Sequence, residues 1–264
     1  MRFLTLWACL ILSSISGVHV RAAMYSYSNP YPGNGAGAAN SPVGHGSLTW
    51  GDNGTTLQCI FTPGSTVPSD YALVLYIDSV AGGFSSTSAF SDYGNPTKAA
   101  ISGYKLSGAS HSTATFASGF GADYALVIEP SEPNYNAVYS LDAGGSLTEV
   151  VGSSSLGYTD NGVKCSVSFD WSKIGVGTGA PKTLNFESTY INVSTSTGRT
   201  LESFEGFANG SQSGWNSVMF ANYDRYPVAA VPEPVSMALG IFGGMFVVVS
   251  RIRRWRRLRG GARE

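Results

Sequence analysis

The sequence predicts an all-β protein, an antiparallel β-sandwich of jelly-roll or immunoglobulin-like type, with an N-terminal signal peptide and a C-terminal single transmembrane helix. Three observations carry this reading. Between Ser47 and Tyr226 no stretch sustains a 3.6-residue apolar period, whereas short alternating or wholly apolar runs recur between turns built from Gly, Asn and Asp. Charged residues make up only 12% and Gly numbers 33 of 264, yet 43% hydrophobic residues can supply a core, so disorder is excluded as the dominant state. Each end of the chain carries an apolar run beside basic residues.

The leader comes first. Met1-Arg2 is a short positive start, Leu4 to Ile15 is apolar, and Val20-Arg21-Ala22 fits a small-residue cleavage site, so residues 1–22 are expected to be removed after export. That requires a Sec translocon and a signal peptidase. Residues 23–46 are rich in Gly, Pro, Asn and Ala without periodicity and read as an N-terminal arm with turns.

The folded domain is expected over 47–226. Leu48-Thr49-Trp50 and Thr56 to Phe61 flank Asp52-Asn53-Gly54, a hairpin signal. Tyr71 to Asp78 is nearly apolar throughout and should be a central strand between two sheets. Its opening recurs: Asp70-Tyr71-Ala72-Leu73-Val74 matches Asp123-Tyr124-Ala125-Leu126-Val127, read as two equivalent strands. Ala99 to Ile101, Tyr104 to Leu106 and Ser112 to Phe116 are expected as short strands, followed by Ala137 to Leu141 and Ser146 to Val151. Asp160-Asn161-Gly162 turns into Val163, Cys165, Val167 and Phe169, alternating with Lys164, Ser166, Ser168 and Asp170 in a half-buried strand. Trp171 to Gly175 closes it, with Trp171 expected in the core, and Thr183 to Ile191 is a further strand. Arg199 to Trp215 reads as a long loop and Val218 to Phe220 as a last strand.

Charge is split along the chain. Seven of the 16 basic residues lie between Arg251 and Arg263 and two in the leader, leaving 7 basic against 15 acidic residues between Ala22 and Val231. An acidic body excludes nucleic acid as a partner. Of the body's residues only His45 and His111 are histidines, in no zinc spacing, and the nucleophile-elbow, Walker and dinucleotide signatures are missing. Glu129 and Glu132 flank prolines in a turn and make no case for glycoside chemistry. The chain is therefore read as non-catalytic and without a cofactor, leaving a structural Ca²⁺ open at Asp52, Asn53, Asp78, Asp92, Asp160 and Asn161, which serve equally well as turn formers. Trp215, in a Gly/Ser-bearing loop, is the candidate sugar contact. Cys59 and Cys165 form either one disulfide or two separate buried thiols.

The body resembles sandwich domains of the DOMON and family-nine carbohydrate-binding type. The residues carrying this are Leu73 to Asp78, Gly82-Gly83, Ala122 to Ala125, and Phe169 to Gly175. Asp170 stands before Trp171 where such domains are expected to have Pro.

The tail is distinctive. Val231-Pro232-Glu233-Pro234 ends a linker (227–234), residues 235–250 are apolar, and residues 251–264 hold Arg251, Arg253, Arg254, Arg256, Arg257 and Arg259. Sixteen residues (235–250) span about 24 Å as a helix, short of a hydrocarbon core of about 30 Å, so flanking residues must help. The arginines are topology-determining and hold the end of the chain in the cytoplasm. The arrangement resembles the PEP-CTERM sorting signal. That resemblance implies recognition by an exosortase, transient residence in the inner membrane through residues 235–250, processing near the Pro-Glu-Pro motif, and final placement at the cell surface or in the extracellular matrix, in association with exopolysaccharide. The expectation is an exported, non-catalytic, polysaccharide-associated protein. The alternatives are an extracytoplasmic carbohydrate-active enzyme and a purely structural envelope protein.

Overall fold

A computed structural model describes residues 24–28, 46–64, 71–160, 163–177, 183–192, 203–205, 207–208 and 214–227. All belong to one compact unit, Met1–Ala229; a second unit, Ala230–Glu264, lies outside the described residues. The leader, His45, Asn161, the Pro-Glu-Pro motif, the apolar span 235–250 and the arginine cluster therefore lie outside them too. Among the described residues no helix is long and apolar enough to cross a membrane.

The chain is all-β with antiparallel sheets. In order it forms β1 (Met24–Ser28), β2 (Ser47–Asp52), β3 (Thr56–Thr62), β4 (Tyr71–Asp78), α1 (Pro96–Ser102), β5 (Ala114–Thr115), β6 (Tyr124–Ile128), β7 (Ala137–Asp142), β8 (Ser146–Val151), β9 (Thr159–Asp160), β10 (Cys165–Asp170), β11 (Thr183–Asn192), β12 (Val218–Met219) and β13 (Asp224–Pro227). A five-stranded sheet runs β1-β2-β3-β10-β9 and a six-stranded sheet β13-β11-β4-β6-β7-β8. The described parallel pair is β5 with β12.

The β2–β3 turn forms as its Asp-Asn-Gly requires. Asp52 Oδ1 accepts the Gly54 N–H at 2.8 Å, and Asn53 Oδ1 accepts those of Thr55 and Thr56 at 3.0 and 2.8 Å. Both faces of β4 are buried, as its apolar run demands. One face, with Leu73, Leu75 and Ile77, shares a core with Trp50, Leu57, Phe61, Val167 and Trp171 of the five-stranded sheet and its flank. The other, with Val74 and Tyr76, meets a layer made of α1 and loop residues such as Phe116, Phe207 and Phe220. The expectation that β4 lies between two sheets is corrected accordingly: its second face is covered by a helix, loops and the two-stranded β5–β12 pair, not by a second full sheet. Tyr76 ties that layer down by donating its hydroxyl to the Ile101 carbonyl at 2.6 Å. The Tyr-Ala-Leu-Val parts of the repeated segments, Tyr71 to Val74 and Tyr124 to Val127, fall on β4 and β6, which are antiparallel neighbours with Ile77 opposite Tyr124.

Two further expectations are corrected. Ala99 to Ile101 belong to α1: Asn95 caps it by accepting the Lys98 N–H, Pro96 opens it, and Gly103 closes it in the left-handed region at φ 86°. The arm is not wholly outside the fold, because Met24–Ser28 pair with Ser47–Gly51.

One close crossing fixes the cover layer. Gly83 sits at φ 82°, a Cβ there would run into the Gly121 carbonyl, and Phe84 bridges Ala122. Gly83→Ala is expected to cost about 2 kcal/mol or more in denaturant unfolding, from strain and overlap together. Gly54→Ala also strains a positive φ, but with nothing within 4 Å it should cost only about 1 kcal/mol. Equal losses would show that the close crossing contributes nothing.

Candidate functional site

β11 carries two aromatic core residues, Phe186 and Tyr190, on its inner face and Glu187, Thr189 and Ile191 on the outer one. Its far edge is paired by β13 only as far as Phe186 opposite Asp224. Beyond that point the Glu205 carboxylate stands where a strand's carbonyl would. Its Oε2 accepts from the Ser188 N–H at 2.9 Å, the Ser188 hydroxyl at 2.7 Å and the Ser203 hydroxyl at 2.7 Å. The Phe204 N–H then donates to Ser188 Oγ at 3.0 Å. Phe204 enters the inter-sheet core and Phe207 the outer one, so the segment wraps the edge with Glu205 between them.

Next to it, Glu187 reaches over the outer face, and its Oε1 accepts the Ala117 N–H at 2.9 Å. Glu187 is 0% and Glu205 4% exposed. Burial pushes the Glu187 carboxyl up to about 9, against the Ala117 N–H bond and with help from the Glu205 and Asp78 charges. Burial likewise pushes Glu205 up to about 8, with the Asp224 charge adding and the serine donors opposing. Burial therefore favours the protonated form of both side chains at pH 7. They work as internal hydrogen-bonding anchors and present no carboxylate to solvent.

The surface offers a different feature. Tyr93 is 42% exposed. Its ring lies over Gly108, where a Cβ would stand 2.8 Å from the ring, and 5.3 Å from the Tyr104 ring. Tyr104 in turn stacks on His111 at 4.0 Å and 7°. The stack is braced from the end of α1: His111 Nε2 is 3.1 Å from the Ser102 carbonyl, and the Ser102 hydroxyl donates to the Asp92 carbonyl at 2.8 Å. Asp92 pairs with Lys98 at 2.7 Å beside the ring. Partial burial pushes the Asp92 carboxyl up, but the Lys98 ammonium and the Gly94 N–H outweigh it and leave the group below its ordinary value.

The residues singled out in the sequence do not converge. Trp171 is buried in the inter-sheet core, stacked on Tyr226. Trp215 is half-buried in a bend before β12. Cys59 and Cys165 are free thiols on neighbouring strands, Cys59 opposite Val167 and Cys165 opposite Phe61. They point into the same core two residues out of register, so the structure takes the separate-thiol alternative. Glu129 opens the expected turn, its carbonyl accepting the Glu132 N–H at 3.3 Å, but it is buried just after β6, where its own N–H donates to Asn136 Oδ1 at 2.6 Å. The candidate calcium residues are scattered. Asp52 Oδ2 accepts from the Tyr226 hydroxyl at 2.8 Å, and Asp78 Oδ2 from Asn185 Nδ2 at 3.0 Å. Among the described residues no three His, Cys, Asp or Glu side chains gather within reach of one metal ion. No family model, curated protein or solved structure matches the chain.

The two raised glutamates set the sign of a pH dependence. The folded state holds their protons more tightly than the unfolded chain, so their contribution is complete below about pH 4.5 and is lost as pH rises through about 8 to 9. Each group contributes a slope of at most about 1.4 kcal/mol per pH unit within that window. Denaturant unfolding from pH 5 to pH 10 should show falling stability, and Glu187→Gln should flatten the curve. An unchanged slope in that variant would rule out the assignment.

Proposed function

We propose that the chain is an exported, non-catalytic surface or matrix protein that associates with polysaccharide and is sorted by a PEP-CTERM tail read by an exosortase. The two-sheet body is read as a β-sandwich of jelly-roll or immunoglobulin-like type. The leader through Ala22, the Pro232-Glu233-Pro234 motif, the span 235–250 and the arginines after it support the sorting half of this reading. The single observation that carries the binding half is the exposed Tyr93 ring, held at the end of the Tyr93–Tyr104–His111 stack with Asp92 and Lys98 at its side. A fixed aromatic ring presents an apolar face to a sugar's C–H surface, while neighbouring polar groups take its hydroxyls. The stack is held by its own backbone contacts, so little side-chain entropy remains to be lost on binding. The acidic body favours an uncharged polymer over an anionic one.

One preparation tests both halves. The protein recovered from its producing cells should end before Val235 by intact mass, and it should be retained on a neutral exopolysaccharide matrix. Tyr93→Ala should weaken retention about fivefold or more, equivalent to about 1 kcal/mol, without changing the circular dichroism spectrum. Arg259 still attached in a cell that has the sorting enzyme would overturn the sorting half. Equal retention of the variant, or none of the wild type, would overturn the binding half.

A further inference from the structure

The free edge of β11 carries a concentration of unmet polar groups. Glu187 Oε2, Thr189 Oγ1 and Glu205 Oε1 are all buried without a hydrogen-bond partner. Glu187 and Thr189 stand on the same face of the strand, opposite Tyr76 and Val74. Glu205 is held at the same strand edge: its Oε2 accepts from the Ser188 N–H at 2.9 Å and the Ser188 hydroxyl at 2.7 Å, and its charge is among those that raise the Glu187 carboxyl. Its second oxygen belongs to the same carboxyl. Three residues bound to one short stretch of backbone thus each keep one oxygen unpaired in the interior. Every such group costs about 1–3 kcal/mol, and three on Glu187, Thr189 and Glu205 at one strand edge are a cost that a shared partner would remove.

The chemistry of that partner follows from the donors. All three atoms are oxygens, so the set suits a hard cation and offers nothing to a thiolate- or imidazole-seeking metal. Two carboxylates balance a divalent charge, which removes the objection to burying them ionised. The two cysteines lie in the inter-sheet core, on the other face of the six-stranded sheet. The set needs only two carboxylates and a hydroxyl from side chains, with backbone carbonyls completing a coordination shell that calcium tolerates in irregular form. The turn residues Asp52, Asn53 and Asp92, by contrast, already accept hydrogen bonds within their own turns.

We propose that Glu187, Glu205 and Thr189 form a buried calcium-class cation site that locks the free edge of β11. Binding of one Ca²⁺ displaces the two carboxyl protons to the buffer, so the net charge of the site is unchanged.

The test uses the full chain purified in a mild detergent and freed of metal with a chelator. At pH 7.5, addition of about 1 mM Ca²⁺ should raise the Tm by about 4 °C or more. Equilibrium dialysis should find one Ca²⁺ per chain, with proton release on binding. Glu187→Gln and Thr189→Val should each weaken that binding about tenfold or more, while Tyr93→Ala leaves it unchanged. Should Glu187→Gln fail to fold, the Thr189→Val result decides. Absence of bound Ca²⁺ at that concentration, or binding equal in wild type and variants, would overturn the site.

Discussion

The centre of the six-stranded sheet is buried on both faces, and the rest of the structure is arranged to meet that constraint. An ordinary two-sheet protein leaves the outer faces of its sheets to water. Here β4 carries apolar side chains on both sides and β11 is buried on both, so a second cover is required. Residues between β4 and β6 supply much of it, through α1 and the Phe116 loop, and Phe207, Val218 and Phe220, which follow β11, complete it. The cover brings its own obligation. A buried sheet edge must have its backbone donors satisfied, and where β13 stops the Glu205 carboxyl takes over that role at Ser188. The two buried acids are thus a consequence of the second covered face, as Glu187 anchors the cover at Ala117 while Glu205 closes the edge.

This division of labour bears on function. Glu187 and Glu205, whose carboxyls burial raises, lie inside, engaged in holding layers together. The surface above α1 presents aromatic rings fixed by backbone and side-chain contacts, a feature suited to recognition of a polymer and needing no reactive group. A stable, weakly charged body with such a patch fits a protein that works outside the cell, which is the role proposed from its leader and tail.

Much of the architecture was legible in local sequence. Asp52-Asn53-Gly54 specified its hairpin because each side chain has a turn donor to satisfy, and the unbroken apolar run of β4 specified a doubly buried strand. What covers that strand's second face was not legible, because an apolar side chain does not reveal whether a sheet or a helix lies against it. The helix α1 carried readable signals in Asn95-Pro96 at its start and Gly103 at its end, but its seven residues are too few to show a period. The buried acids were hidden for a different reason. Glu187 alternates with Phe186 and Ser188 in a strand whose apolar side chains largely share one face, so pattern alone leaves it on the solvent side of a two-sheet fold. Only the tertiary cover reverses that. Tyr93 and its partners were missed because the stack joins residues from three loop positions that no spacing relates.

The central claim is that a carboxyl group replaces a strand along the free edge of β11. Native-state amide hydrogen exchange at Ser188 tests it most directly. If Glu205 closes the edge, the Ser188 amide exchanges only through global unfolding, with the same free energy as the amides at the centre of β4, and Glu205→Ala lowers its protection selectively. Rapid exchange at Ser188 in the wild-type protein, or protection unchanged by Glu205→Ala, would contradict the account.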